Sequence, residues 1–266
     1  TAPRGIVAAA ISSLFALRLA ETGSADGQVL VTATFTVIAG TVLLSGFGAR
    51  PLASRLGLID TGVGPVLIVG AGTFPRSLAA TLNDLGEDVD VHALLIATDE
   101  EDRRAAKMGG LAHTSGSVLE AATWERAGVA DASVVLALDR TDEVNTVAAR
   151  HAASVVGRRN TFQAPLDPSP RRTVAPVEVV GRPLFAHDAT VAELERRVCD
   201  GWKVRATPFT EAFDWREYHR VHPRAIPLAV VRNGRVTWLE AGHQPKVGSG
   251  GVVVALTPPR DGATPG

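Results

Sequence analysis

The sequence is poor in cysteine and in net charge, and each deficit excludes a class of site. Cys199 is the only cysteine, so the chain has no internal disulfide and no cysteine-rich metal centre. The formal net charge is −1 at pH 7 and no strongly basic block occurs. Because nucleic-acid binding depends on Lys and Arg neutralising phosphates, we expect no nucleic-acid partner. We also expect no metal site, because four histidines of the C-terminal part lack metal-ligand spacing: His187, His219, His222 and His243.

Charged residues are also missing from residues 27–49. Within that stretch, residues 28–47 are long enough to cross a bilayer, which takes about 20 apolar residues. An earlier apolar run, residues 6–17, is shorter and rich in small residues that let helices approach closely. It is either the remainder of a longer transmembrane helix or a buried helix of a soluble domain.

Basic residues indicate the orientation of this region. Arg50 and Arg55 follow the longer run, and by the positive-inside rule that end is cytoplasmic. We therefore expect residues 1–58 to be the last transmembrane helices of a truncated transporter domain. The whole protein would be a multi-pass protein of the cell (inner) membrane, with everything after about residue 60 in the cytoplasm.

Strand and helix patterns alternate between residues 65 and 163, as in a doubly wound α/β sheet. The predicted strands are short apolar runs at residues 66–69, 91–97 and 134–138. The predicted helices have apolar residues at helical spacing and end at glycine, at residues 76–85, 100–108, 119–127 and 142–156. The pattern indicates a Rossmann-like domain with a parallel sheet.

The first predicted strand runs into a glycine turn, Gly70-Ala71-Gly72-Thr73-Phe74. Such a turn lets the backbone approach a pyrophosphate while the next helix directs its free N–H groups at the anion. Pro75 stands where the third glycine of the fingerprint is usual, which weakens the indication of nucleotide binding.

An acid after the second strand is the usual partner of the ribose hydroxyls. That strand ends at Ala97, so Asp99 is the candidate. Asp99 has a second interpretation, as the N-cap or a first-turn acid of the following helix.

The chain resembles the C-terminal part of a monovalent cation:proton antiporter with a TrkA-type regulatory module of the RCK family. The resemblance rests on Thr1-Ala-Pro-Arg4-Gly5 and on an ordered series of landmarks: Gly70-Ala-Gly72, Gly116-Ser117, Ala127-Gly128-Val129 and Asp142-Glu-Val-Asn145. It implies that Arg4 lies within the membrane and interacts with acids of the transport core. It also implies that the first turn holds phosphates and that Gly116 and Ser117 lie beside an adenine nucleotide, with NAD or NADH as candidates. Two further positions depart from the family, Ala97 at the usual ribose acid and Ser117 at the commoner Asp.

The remaining segments complete the predicted domain organisation. The Rossmann-like domain covers residues 63–163, and residues 164–176 form a proline-rich linker. Residues 177–257 read as a small α+β domain resembling TrkA-C, with a capping box at Thr190, a hairpin at Asn233-Gly234 and a final strand. Residues 258–266 are expected to be a disordered tail.

These features together predict a C-terminal fragment of a sodium or potassium:proton antiporter, in which a nucleotide sensor regulates exchange. Its partners would be the membrane, the missing N-terminal helices, monovalent cations and protons, and a second copy in a homodimer. The first alternative is the gating module of a potassium channel or Trk-type uptake system. The second is a soluble NAD-dependent oxidoreductase, which lacks a convincing His or Lys constellation, so we expect no enzyme activity.

Overall fold

The computed structural model describes residues 6–21, 26–55, 64–85, 91–167, 177–186, 188–233, 235–240 and 250–259. The chain divides into two units, residues 1–61 and residues 62–266. Each unit is considered by itself below.

The first unit holds two helices, α1 (Ile6–Glu21) and α2 (Asp26–Arg55), where the sequence predicted helices. They pack closely at Gly27, where an added Cβ would lie 2.8 Å from the carbonyl oxygen of Ala16. Many large apolar side chains are exposed on both helices, among them Val7, Leu14, Val29 and Val37. In the part of the chain that the structure describes, neither helix is long and apolar enough to cross a membrane, so the predicted spans are not supported. Arg4 lies outside the described residues.

The second unit is built on a sheet of six parallel strands in the order β3-β2-β1-β4-β5-β6. The strands are β1 (Val66–Val69), β2 (Ala93–Ala97), β3 (His113–Ser115), β4 (Val134–Ala137), β5 (Thr161–Gln163) and β6 (Arg182–Pro183). The helices between them are α3 (Thr73–Asn83), α4 (Glu100–Met108), α5 (Ala121–Arg126) and α6 (Asp142–Val155). The predicted Rossmann-like sheet is therefore confirmed.

The central strands are apolar along their whole length because both faces of the sheet are covered. Val66 and Ile68 point into a core shared with α3 and α4. Leu67 and Val69 point to the opposite side, into a core with Trp124 of α5 and the alanines of α6. Side chains alternate between faces along a strand, so four consecutive apolar residues serve two cores.

The C-terminal part forms an antiparallel sheet in the order β7-β10-β8-β9. Its strands are β7 (Lys203–Pro208), β8 (Ile226–Arg232), β9 (Arg235–Trp238) and β10 (Val252–Thr257), with helices α7 (Val191–Cys199) and α8 (Trp215–Val221). The β8–β9 hairpin is confirmed, with Asn233 at φ +51°, while Gly234 lies outside the described residues.

The boundary between the two sheets lies later in the chain than the sequence pattern indicated. The strand β6 belongs to the parallel sheet, beside β5, although the sequence assigned residues 177–257 to the C-terminal domain. The two sheets also share one apolar core, in which Leu194 and Leu228 belong to the same cluster as Leu78 and Leu136. The helix α7 thus packs directly against α3.

Candidate functional site

The residues predicted to form the nucleotide site meet at the carboxyl edge of the parallel sheet. The backbone N–H of Gly70 donates to the carbonyl of Ile96 at 2.9 Å, and that of Gly116 donates to the carbonyl of Ala97 at 3.2 Å. The turn after β1, the end of β2 and the loop after β3 are therefore adjacent. Because the chain continues to β2 on one side of β1 and to β4 on the other, this edge contains the topological switch point at which open α/β sheets bind ligands.

The glycine turn has two glycines with different structural roles. Gly70 has φ +101°, and an added Cβ would lie 2.7 Å from the carbonyl oxygen of Leu138, so only glycine fits the turn without strain. Gly72 has an ordinary φ of −62° and is the N-cap of α3. At Gly72 the space for a Cβ is instead taken by the side chains of Glu195 and Arg140.

The rest of the turn enters α3 without disrupting it. Phe74 is fully buried, and Ala71 is buried beside it. Pro75 is the third residue of α3, where the missing N–H has no intrahelical partner in any case. Pro75 therefore does not break the helix. The hydroxyl oxygen of Thr73 is buried without a hydrogen-bond partner.

Asp99 is the N-cap of α4, which is the second of the two roles predicted for it. Its Oδ1 accepts a hydrogen bond from the backbone N–H of Asp102 at 2.8 Å. Ser117 similarly accepts from the N–H of Leu119 at 3.2 Å, so its hydroxyl closes the loop after β3. Gly116 has φ +148° and lies against Thr123, where a Cβ would come within 2.3 Å of the hydroxyl oxygen.

A charged cluster that sequence reasoning missed lies at the same edge. It consists of Arg76, Asp102, Arg140 and Glu195. Asp102 is 6% exposed and accepts from Arg76 Nη1 at 3.1 Å and from Arg140 Nη1 at 3.1 Å. Arg140 Nε also donates to Glu195 Oε2 at 2.5 Å. Arg140 could have been noticed because it follows β4 closely, whereas nothing in the local sequence marks Glu195.

The electrostatics of this cluster are those of a partly buried ion-pair network. Burial raises the pKa of Asp102 above its ordinary value, while Arg140 and Arg76 act in the opposite direction. Burial alone would lower the pKa of Arg140, but its hydrogen bond with Glu195 and the charges of Glu195 and Asp102 raise it. Arg140 is therefore held in its charged form by Asp102 and Glu195, and Asp99 Oδ2 lies 3.9 Å from its Nη1.

Glu195 lies on the glycine turn. A Cβ added to Gly72 would come within 1.7 Å of Glu195 Oε1 and 3.1 Å of Arg140 Nη2. This oxygen is buried and has no hydrogen-bond partner. The carboxylate therefore takes up the space beside Gly72 that, in a dinucleotide-binding turn, lets the backbone approach a pyrophosphate.

A second network fixes the end of β4. The side chain of Asn145 accepts from the N–H of Asp139 and donates to its carbonyl, both at 2.7 Å. The Asp139 carboxylate accepts from the hydroxyl of Thr98 at 2.6 Å. The last residue of the Asp142-Glu-Val-Asn145 landmark thus holds the strand ends at the switch point in place.

Comparison with known families identifies this part of the chain. The TrkA-N domain family matches residues 66–165. These residues form a TrkA-N domain. The match covers the parallel sheet up to β5 and includes every turn of the candidate site. No curated protein matches the chain.

Solved structures with some similarity include dehydrogenases and RCK proteins. A short-chain dehydrogenase/reductase (wide type) from Veillonella parvula DSM 2008, in complex with NADP, is 21% identical with a TM-score of 0.30, covering 39% of this chain and 48% of that chain. The GsuK RCK domain is 12% identical with a TM-score of 0.35, covering 73% and 44%. The GsuK channel bound to NAD is 15% identical with a TM-score of 0.34, covering 87% and 45%. The chain therefore spans less than half the length of each of these proteins.

Proposed function

We propose that this chain is a regulatory module whose TrkA-N domain senses an adenine nucleotide, with NAD or NADH as the first candidates. The observation that carries the proposal is the glycine turn of the TrkA-N domain, which joins β1 to the N-terminus of α3 at the switch point. Backbone N–H groups at a helix N-terminus, together with the helix dipole, favour a bound phosphate. The protein would act as a sensor and not as an enzyme.

The regulated partner in this proposal is a monovalent cation transport system at the membrane. The Pro3-Arg4-Gly5 motif favours a sodium or potassium:proton antiporter, with the TrkA-N domain on the cytoplasmic side and a second copy forming a homodimer. The exposed apolar side chains of α1 and α2 support an apolar partner for the first unit, such as further helices of a transporter. A potassium channel is the alternative. Any sequence encoded upstream of Thr1 would distinguish the two: paired intramembrane acids indicate an antiporter, and a selectivity-filter loop indicates a channel.

The direct test is calorimetric titration of the full chain with NAD, NADH, ATP and ADP, next to a Gly72→Asp variant. Aspartate is a favourable N-cap, so the variant is expected to fold. Its added carboxylate would repel phosphate at the turn. Gly109→Asp is the matched control, because a Cβ at Gly109 makes only ordinary contacts of 3.5 Å or more on an exposed part of α4's C-cap.

We expect saturable binding of at least one nucleotide by the wild type and by Gly109→Asp, and none by Gly72→Asp. If the folded wild type binds none of the four, the sensing function is refuted. If Gly72→Asp binds as well as the wild type, the nucleotide is bound elsewhere and the glycine turn is not the site.

A further inference from the structure

The Glu195 carboxylate has the properties of a phosphate substitute. It is anionic, it is paired through Oε2 with Arg140, and its Oε1 is pressed against Gly72 at the N-terminal end of the 11-residue helix α3. A helix N-terminus attracts negative charge, and a carboxylate there is stabilised as a phosphate would be. The three atoms nearest to a Cβ added at Gly72 belong to Glu195 and Arg140.

The carboxylate is an imperfect occupant of the turn, because one of its oxygens is unpaired. Glu195 Oε1 and the hydroxyl oxygen of Thr73 are both buried and both lack a hydrogen-bond partner. Buried polar groups in native proteins are nearly always paired, and an exception calls for an explanation. A pyrophosphate at this turn would replace the carboxylate beside Gly72 and release Glu195 Oε1 to solvent.

We propose that Glu195 is an internal competitor for the pyrophosphate position, which a ligand must displace before it can bind and take over Arg140. The inference rests on the proposed nucleotide sensing and deepens it, because it names the residue that opposes binding. It also names the part of the ligand that the turn recognises, which is a pyrophosphate or another polyanion and not a neutral nucleoside.

Displacement of Glu195 has a direct path to the C-terminal sheet. Glu195 lies in the middle of α7, next to Leu194 in the shared core. The helix α7 ends just before β7, and the Thr81 hydroxyl of α3 donates to the Val204 carbonyl of β7 at 3.3 Å. A ligand at the turn would bind the protein better when α7 is placed with Glu195 away from Gly72 than when Glu195 lies against it. Such a difference in affinity between two conformations is the requirement for a ligand-driven shift.

The test compares Glu195→Ala and Glu195→Gln with the wild type by calorimetric titration of the full chain. The probes are inorganic pyrophosphate and the four nucleotides NAD, NADH, ATP and ADP. Glutamine keeps the size of the side chain and removes its charge, so it serves if the alanine variant folds poorly. Glu193→Gln is the matched control, because it removes a carboxylate from the same helix at a residue that pairs only with Arg196 and Arg197 among the described contacts.

We expect pyrophosphate to bind Glu195→Ala at least about tenfold more tightly than the wild type, a difference of about 1.4 kcal/mol. Glu195→Gln should lie between the two, and Glu193→Gln should match the wild type. Equal pyrophosphate binding by all four proteins, or no binding by either Glu195 variant, overturns the role of Glu195.

The nucleotide titrations separate this inference from the proposed function. Tighter pyrophosphate binding by Glu195→Ala without binding of any nucleotide supports the competitor and refutes adenine-nucleotide sensing. Nucleotide binding that is the same in the wild type and in Glu195→Ala supports sensing and refutes the competitor.

Discussion

Replacing each glycine of the turn by alanine should give two very different losses of stability. At Gly70 an alanine must adopt φ +101°, a region that costs L-residues about 1–2 kcal/mol. Its Cβ would also lie 2.7 Å from the Leu138 carbonyl oxygen and 2.8 Å from the backbone of Asp139, where ordinary contact begins at 3.4 Å. Both neighbours are backbone at the end of β4, so relief requires a strand to shift.

The cost of that shift sets the size of the effect. Overpacking of a well-packed interior costs about 1–3 kcal/mol, and the reduced entropy of the unfolded chain returns about 0.4–1 kcal/mol. We therefore expect Gly70→Ala to lower the free energy of unfolding by about 2–4 kcal/mol.

Gly72→Ala should be much milder, although its Cβ contact is the shorter of the two. The backbone φ of −62° suits alanine, and the obstructing atom is the end of the flexible Glu195 side chain. Moving that side chain gives up its ion pair with Arg140, in which Arg140 is half exposed and Glu195 is largely buried, at a cost of about 1–2 kcal/mol. The entropic gain of about 0.4–1 kcal/mol offsets part of this cost, so the net loss should stay below about 2 kcal/mol.

Urea unfolding followed by tryptophan fluorescence measures this difference. All four tryptophans, Trp124, Trp202, Trp215 and Trp238, belong to the unit of residues 62–266, so the signal reports on that unit. Equal midpoints for the two variants, or an unchanged midpoint for Gly70→Ala, would refute the distinction between a glycine required by the backbone and one required by a side chain.

Two further substitutions test buried polar groups. Burial raises the pKa of Tyr218 to about 12, whereas the phenol of the unfolded chain ionises near 10. The folded state therefore keeps its full stability below pH 10. As the pH rises towards 12, the free energy of unfolding decreases by up to about 3 kcal/mol because only the unfolded chain ionises. Because its hydroxyl has no hydrogen-bond partner, Tyr218→Phe should be as stable as the wild type or more stable at pH 7. It should also lose the alkaline dependence that Tyr218 causes, measured by urea unfolding at pH 8 and pH 11. Asn145→Ala should cost about 2–4 kcal/mol, because it leaves both backbone groups of Asp139 without their partner; a loss below about 1 kcal/mol in the same assay would mean that water replaces the amide.

Most of the secondary structure could be predicted from local patterns. The helix α4 runs from Glu100 to Met108, as predicted, and ends at the glycine that follows. Of the two hydrogen bonds of the predicted capping box, the one to the N-cap side chain is present: the Thr190 hydroxyl accepts from the Glu193 N–H at 3.2 Å. The Glu193 carboxylate, however, pairs with arginines of its own helix.

The elements that sequence reasoning missed are short or depend on their neighbours. The strands β3, β5 and β6 have two or three residues each, too few to show a period, and each is defined by its pairing with a neighbouring strand. The strand β7 has a single buried residue, Val204, and no apolar run, and α8 has only seven residues.

By itself, the sequence determined the alternation of strands and helices, the glycine turn and the edge of the sheet at which a ligand would bind. These follow from periodicity and from backbone angles that few residues adopt, which are properties of neighbouring residues. Only the tertiary structure decided which charges meet at that edge. Glu195 lies more than a hundred residues after Gly72, and it reaches the turn because an apolar face of α7 packs into the core beneath it. Packing places a side chain without regard to its distance along the chain, so no local pattern could have shown that a carboxylate occupies the position expected for phosphate.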